Sequence, residues 1–171
     1  MSTFEQQRER GKVYEIAFAT WLQLQRDYYV LPTYDYSGLA NNKPPKLMSK
    51  VRGLVIPDLL AYKLGAGMWF EIKLKTEAVL HRKTQTIVTG LPYRHWLDYQ
   101  QVHTVTGLPI WIVFIHENEQ IVKACEINKA PISHVFEGDK MDRGGTIFFD
   151  FEKLVTLVSL PHLDKFARRE G

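Results

Sequence analysis

Ile56-Pro57-Asp58 and Glu71-Ile72-Lys73 stand in otherwise apolar, strand-like stretches of the chain. Side chains alternate between the two faces of a strand, so Glu71 and Lys73 point the same way while Ile72 points into the opposite layer. Burying a carboxylate or an ammonium beside an apolar core costs free energy unless the charge is paired or binds a cation. Three charges in such surroundings therefore indicate a functional site. The alternative is an exposed pair of Glu71 and Lys73 on the surface of a sheet.

The segments around these motifs predict a mixed α/β arrangement. The expected elements are, in chain order, a helix over 4–26, strands over 28–36, 54–63 and 68–75, a helix over 93–106, and strands over 109–115 and 120–127. Leu64-Gly65-Ala66-Gly67 predicts a hairpin between the second and third strands. Pro92 and Gly107-Leu108-Pro109 bound the second helix. Residues 76–91 favour no single structure.

The remaining segments are less informative. Ser2 or Thr3 is a candidate cap for the first helix, and residues 37–46 predict a polar, basic loop. After Gly144-Gly145 we expect a strand over 146–151 and a short helix near 151–158. An element order of helix, three strands, helix and strand is typical of a layered α/β domain with a mixed sheet.

Length and composition exclude several classes of protein. A chain of 171 residues fits one domain with a sizeable core. The single cysteine, Cys125, excludes an intrachain disulfide and a cysteine zinc cluster. The polar start is not a signal peptide, and the longest apolar run, from Leu108 to Ile115, is too short to cross a bilayer. We therefore expect a cytoplasmic protein without membrane contact.

The net charge of +3 is small, but basic residues cluster near the motifs. A protein that grips a polyanion needs local positive patches more than a large total charge. The candidates for phosphate binding are Lys12, Lys75, Arg82, Lys83 and Arg94. The alternative for each of them is an ordinary solvated side chain.

Together, Ile56-Pro57-Asp58 and Glu71-Ile72-Lys73 resemble the signature of the PD-(D/E)xK nuclease superfamily. That signature is Pro-Asp, a variable gap, and Asp/Glu-x-Lys on an αβββαβ core. The resemblance covers about residues 4–116, and the predicted order of elements matches. It implies a restriction-endonuclease-like fold, with helices on the faces of a mixed central sheet. We therefore treat residues 1–171 as one nuclease domain, with a C-terminal β extension over about 117–171.

The resemblance also implies a metal-dependent hydrolytic site. A divalent cation can offset charge on a phosphodiester and lower the pKa of a bound water. Mg²⁺, or Mn²⁺ in its place, prefers oxygen ligands, which Asp58 and Glu71 supply. By similarity to the family, the main-chain carbonyl of Ile72 completes the inner shell. Lys73 then orients or helps to deprotonate the attacking water and offsets phosphate charge.

Glu15 is a fourth candidate, because many members of the family carry a glutamate on the first helix that reaches a second metal or its water. In this sequence it lies beside the apolar stripe of the helix, where a solvated residue is less expected. The alternative is a surface ion pair with Lys12.

Residues of the second predicted helix give weaker signals. Gln100 or Gln101 could lie near the site, as a glutamine on this helix does in some relatives. The Gln-x-x-x-Tyr pattern of exonuclease-like relatives is absent, which disfavours an exonuclease. Trp96 and Tyr99 lie at helical spacing and favour packing. The histidines at 95, 103 and 116 share no metal-ligand spacing and favour core or surface positions.

These observations predict a metal-dependent DNA endonuclease, of the Holliday-junction-resolvase type or of the phage or mobile-element type. Its DNA substrate could be branched or otherwise structured, and a homodimer is expected, through an edge strand or through the apolar segments 147–149 and 154–158. Two alternatives remain open. One is a catalytically inactive nucleic-acid-binding or assembly module on the same fold, and the other is an RNA-processing nuclease.

Overall fold

The computed structural model describes residues 4–33, 45–48, 50–136 and 144–167 of the chain. Most of the predicted loop 37–46, the end of the strand predicted over 28–36, and the candidate caps Ser2 and Thr3 lie outside these residues. Within them, the helices are α1 (Phe4–Arg26), α2 (Tyr93–Thr106) and α3 (Leu160–Ala167). The strands are β1 (Tyr29–Pro32), β2 (Lys46–Met48), β3 (Gly53–Val55), β4 (Leu59–Lys63), β5 (Ala66–Lys75), β6 (Val79–His81), β7 (Thr86–Pro92), β8 (Ile110–His116), β9 (Ile121–Glu126), β10 (Ile132–Phe136), β11 (Thr146–Asp150) and β12 (Val155–Ser159).

A six-stranded mixed sheet forms the centre of the fold, in the order β1-β4-β5-β8-β9-β12. The pair β5–β8 is parallel, and the other neighbouring strands are antiparallel. On one face the even-numbered residues of β5 pack with α1 and α3 in a first core, which includes Phe18, Phe70 and Leu163. On the other face Trp69 packs with α2 and a second sheet in a second core.

The predicted hairpin of β4 and β5 is confirmed, but the single strand expected over 54–63 is wrong: β3 ends at Val55, β4 begins at Leu59, and Asp58 lies in a bend just before the hairpin. Strands β4 and β5 pair from Leu59–Phe70 to Lys63–Ala66, which leaves Leu64 and Gly65 as a two-residue turn. Both turn residues have positive φ, 51° and 79°, the left-handed backbone that such tight hairpins require. Glycine at position 65 adopts this backbone without steric cost.

Helix α2 has the predicted bounds, from Tyr93 to Thr106. Pro92 precedes its first turn, and Gly107 ends it in a left-handed conformation, with its N–H donating to the carbonyl of His103. Trp96 and Tyr99 are buried in the second core, which confirms the prediction that they pack.

The second sheet has the order β10-β11-β7-β6 and was not predicted as a sheet. The segment 76–91, for which the sequence favours no structure, supplies β6 and β7. Strand β7 pairs with β11, whose location the sequence does predict, so that Leu91 opposes Ile147. The inner face of this sheet, with Leu91 and Phe149, covers the second core.

One expectation for the C-terminal segment is wrong. The short helix expected near 151–158 is a single 3-10 turn, Phe151–Lys153, followed by β12, which pairs with β9 at the edge of the central sheet. Of the apolar residues considered for a dimer interface, Ile147, Phe149 and Leu154 are buried in the second core and Val155 is exposed, and the dimer stays a prediction. An amphipathic α3 follows and packs on α1. None of the helices in the described ranges is long and apolar enough to cross a bilayer.

Candidate active site

Strand register brings the two charged motifs together. Pairing of β4 with β5 ends at Leu59 opposite Phe70, so continuing the register by one residue places Asp58 opposite Glu71. Asp58 is 3% exposed and Glu71 is 1% exposed. Burial of both carboxylates excludes an exposed pair on the sheet surface and leaves two acids side by side inside the protein.

The carboxylate of Asp58 replaces a missing strand partner of Ile72. Its Oδ2 accepts a hydrogen bond of 2.8 Å from the Ile72 N–H. Because the N–H and C=O of one strand residue point to the same edge, the Ile72 carbonyl also lies on the edge that Asp58 occupies. This placement is compatible with the predicted role of the Ile72 carbonyl as a metal ligand.

Lys73 lies on the same face of β5 as Glu71 and forms an ion pair with its Oε1. The lysine side chain is 28% exposed, so it connects the buried acid with the solvent. The second carboxylate oxygen, Oε2 of Glu71, is buried and has no hydrogen-bond partner among the described residues. Buried polar atoms are nearly always satisfied in folded proteins, so an orphaned carboxylate oxygen is a candidate ligand atom.

The charges around Asp58 and Glu71 favour the binding of a cation. Burial raises the pKa of Asp58 well above its usual range, and the adjacent charge of Glu71 raises it further. Lys73 and the Ile72 N–H oppose this rise in pKa, while Glu15 adds to it. The negative charges of Asp58, Glu71 and Glu15 repel one another, and the ammonium of Lys73 offsets only part of this repulsion. A bound cation would reduce it further.

Glu15 lies half-buried on α1, and its charge acts on Asp58. The fold therefore brings the fourth predicted residue to the same neighbourhood. Lys12, one turn earlier, makes an ion pair of 3.0 Å with Glu9. The role of Glu15 as a ligand or catalytic residue stays a prediction.

The donor set suits a hard cation. Asp58 and Glu71 offer carboxylate oxygens, and Mg²⁺ sites commonly use one or two carboxylates together with water and substrate oxygens. No cluster of three or more His, Cys, Asp or Glu side chains that could hold a metal is found in the part of the chain that the structure describes. The two carboxylates fit a magnesium site of this kind, which water and substrate oxygens would complete.

The other basic residues predicted to bind phosphate lie on β5, in the turn between β6 and β7, and on α2. Lys75 continues the row of Glu71 and Lys73 on one face of β5, and burial, followed by the charge of Lys73, lowers its pKa. Arg82 and Lys83 are exposed in the turn between β6 and β7, and Arg94 is exposed in the first turn of α2. Their roles in phosphate binding stay predictions.

The two glutamines considered as accessory residues lie on the outer side of α2. Gln100 and Gln101 are exposed, and Oε1 of Gln101 accepts a hydrogen bond of 3.0 Å from Arg52. Neither is seen to contact the carboxylate pair within the described residues.

His95, for which the sequence favours a core or surface position, is influenced by the charges of Glu71 and Lys73. It lies in the first turn of α2, half-buried, and its pKa is lowered first by burial and then by the charge of Lys73, while Glu71 raises it. The spacing of the histidines carries no signal for this position. Only the folded structure reveals it.

A comparison with solved structures identifies proteins with a similar fold. No protein-family model matches the sequence, and no curated protein matches it. Among solved structures, Hjc, a Holliday junction resolvase from the archaeal hyperthermophile Archaeoglobus fulgidus, aligns with a TM-score of 0.53 over 86% of this chain and 92% of that chain, at 8% sequence identity. The fold is restriction-endonuclease-like. The predicted mixed α/β architecture of this fold class is thus confirmed.

A second solved structure, the nuclease D212 from a fusselovirus, aligns over 98% of this chain and 94% of that chain. Its TM-score is 0.46 and its sequence identity is 14%.

Proposed function

We propose that this protein is a divalent-cation-dependent nuclease that hydrolyses phosphodiester bonds in DNA. One observation carries the proposal: Asp58 and Glu71 are buried side by side, with Lys73 paired to Glu71 at the solvent side. The restriction-endonuclease-like fold, with a Holliday junction resolvase among the structures it resembles, supports the same reading of these residues.

Asp58 and Glu71 would hold the cation through their carboxylate oxygens, with the Ile72 carbonyl beside them. When bound, Mg²⁺ or Mn²⁺ would offset negative charge at the phosphate and make water more acidic. The hydrogen bond from the Ile72 N–H fixes the orientation of the Asp58 carboxylate. That orientation matters because a misplaced ligand loses much of the catalytic benefit of a preorganised site.

Lys73 would position the attacking water and offset phosphate charge beside the carboxylates. Hydrolysis forms a bond from the water oxygen to phosphorus and breaks the bond from phosphorus to the leaving sugar oxygen. The water proton passes to a basic group or to solvent, and the leaving oxygen gains a proton. Because Lys73 is partly exposed while Glu71 is buried, the ammonium is the member of the pair that an incoming phosphate meets first.

DNA cut at internal positions is the substrate class that we favour. Lys75, two residues after Lys73 on the same face of β5, would add a second basic group for a nucleic-acid backbone. A four-way junction is the first branched substrate to test, because the structural neighbour Hjc is a Holliday junction resolvase. A dimer would suit symmetric cutting of such a junction, and light scattering of the purified protein would measure it.

The test is a cleavage panel with Mg²⁺ or Mn²⁺ on duplex DNA, a four-way junction, single-stranded DNA and RNA. We expect internal cuts in at least one DNA substrate, abolished by chelation and by Asp58→Asn. Glu126→Gln is a matched control, because Glu126 pairs with Lys129 at the surface of the fold. Binding of DNA without cleavage under both metals would support the inactive-module alternative, and cleavage of RNA alone would support RNA processing.

A further inference from the structure

The imidazole of His95 has an unsatisfied polar atom in the interior. Its Nδ1 is buried and has no hydrogen-bond partner among the described residues. A neutral imidazole has one donor and one acceptor nitrogen, and a buried one is normally satisfied. The ring packs edge-on against Tyr99, with centroids 6.1 Å apart, so packing alone accounts for its position on α2 but not for the orphaned nitrogen.

Strand geometry places His95 on the side of the sheet where the acidic pair lies. Trp69, Glu71 and Lys73 project from the same face of β5, and Trp69 is packed with Trp96 and other α2 residues in the second core. His95 immediately precedes Trp96 in the first turn of that helix. The charges of Lys73 and Glu71 both act on its ring, which agrees with this placement.

We propose that His95 is a further residue of the active site, whose Nδ1–H donates a hydrogen bond to a nonbridging oxygen of the scissile phosphodiester. This inference rests on the proposed nuclease function. A neutral hydrogen-bond donor is sufficient here, because Lys73, which is ion-paired with Glu71, already supplies a full positive charge. Mg²⁺ prefers oxygen ligands, so the imidazole is better suited to the substrate than to the metal.

Two substitutions separate hydrogen bonding from packing. His95→Leu keeps much of the side-chain volume against Tyr99 and removes both nitrogens. His95→Asn keeps a polar atom close to the position of Nδ1. Thermal unfolding of both variants shows whether the fold is retained, and His103→Leu is a matched control on the same helix, because the His103 Nδ1 instead contacts the Leu108 carbonyl.

The assay measures kcat and KM on the substrate that the unsubstituted protein cleaves best. A hydrogen bond to a charged group contributes roughly 1.5–3 kcal/mol, so His95→Leu should lower kcat/KM by about 10- to 100-fold. His95→Asn should recover most of that loss, whereas His103→Leu should alter kcat/KM little. In an Asp58→Asn background, which holds substrate uncleaved, adding His95→Leu should weaken DNA binding several-fold.

Each contrary result has a distinct meaning. If the unsubstituted protein cleaves DNA and His95→Leu retains its kcat and KM, this inference is overturned and the proposed function stands. Equal losses in the Leu and Asn variants, or unchanged DNA binding in the Asp58→Asn background, overturn the assigned contact with phosphate. If the unsubstituted protein cleaves no substrate, the proposed function and this inference fall together.

Discussion

The Asp58 carboxylate and the Ile72 N–H are joined by a buried hydrogen bond of 2.8 Å. The bond links the Pro-Asp motif to the centre of the Glu-x-Lys motif at the point where the backbone pairing of β4 and β5 stops. The Asp58 side chain therefore supplies the hydrogen-bond acceptor that a neighbouring strand would otherwise provide. The same bond fixes where one carboxylate oxygen points and leaves the other available to a cation.

Asp58→Asn should lower the rate of cleavage and raise the stability of the fold. Burial and Glu71 raise the pKa of Asp58, so without a divalent cation the folded state gains by losing this negative charge. We expect a higher unfolding temperature for the variant in chelator, together with a loss of cleavage of about 100-fold or more. Added Mg²⁺ should raise the unfolding temperature of the unsubstituted protein and leave that of the variant nearly unchanged. Equal stabilisation of both proteins by Mg²⁺ would contradict a cation site at Asp58.

Lys73→Met should separate cation binding from catalysis. Removing the ammonium leaves Glu71 without its ion-pair partner, so the acidic pair should attract a cation more strongly while cleavage falls sharply. Calorimetric titration with Mn²⁺ measures the first effect and a cleavage assay the second. Lys63→Met is the control, because Lys63 pairs with Asp27 at the surface, at 3.9 Å, and should change neither quantity. Weaker Mn²⁺ binding by Lys73→Met would count against the shared site.

The bounds of α2 could be predicted because local chemistry sets them. Pro92 lacks an N–H that a helix interior would need, and Gly107 adopts the left-handed φ of 68° that ends the helix. The hairpin of β4 and β5 is similarly local. These features depend on neighbours along the chain, which the sequence displays directly.

The second sheet and His95 could not be predicted, because distant partners determine them. Strand β7 pairs with β11, which follows it by more than fifty residues. The residues of the segment 76–91 do not indicate that partner. The helix wrongly expected near 151–158 is a 3-10 turn followed by β12, which pairs with the edge that β9 offers. The charges of Lys73 and Glu71 act on His95 only because the fold brings α2 to the same side of the sheet, whereas Asp58, Glu71 and Lys73 carry a recognisable pattern.

Glu15→Gln should reduce cleavage while preserving the fold. The charge of Glu15 acts on Asp58 from α1, so neutralising it weakens the attraction for a second cation or its water. We expect a fall in kcat of about 10-fold or more, with an unfolding temperature equal to or above that of the unsubstituted protein. Glu9→Gln is a control on the same helix, because Glu9 pairs with Lys12 at the surface. Similar activity in the two variants would remove Glu15 from the site.

His116 should make the fold sensitive to acid, independently of the catalytic residues. Its fully buried ring packs edge-on against Phe151 at 4.9 Å, and neither nitrogen has a hydrogen-bond partner among the described residues. Burial, together with the charges of Lys75 and Lys123 and against that of Glu119, lowers its pKa to about 4.

The unfolded chain takes up a proton on His116 below a pH of about 6.5 and the folded chain does so only near pH 4, so stability falls as the pH falls between these values. The loss amounts to roughly 3 kcal/mol by pH 4, since each pKa unit corresponds to about 1.4 kcal/mol. Denaturant unfolding of the unsubstituted protein and of His116→Leu, at pH 7.5 and at about pH 5, isolates this contribution, because every other titrating group is shared. We expect the leucine variant to lose less stability on acidification. Equal losses in the two proteins would show that the buried imidazole takes up its proton at an ordinary pH.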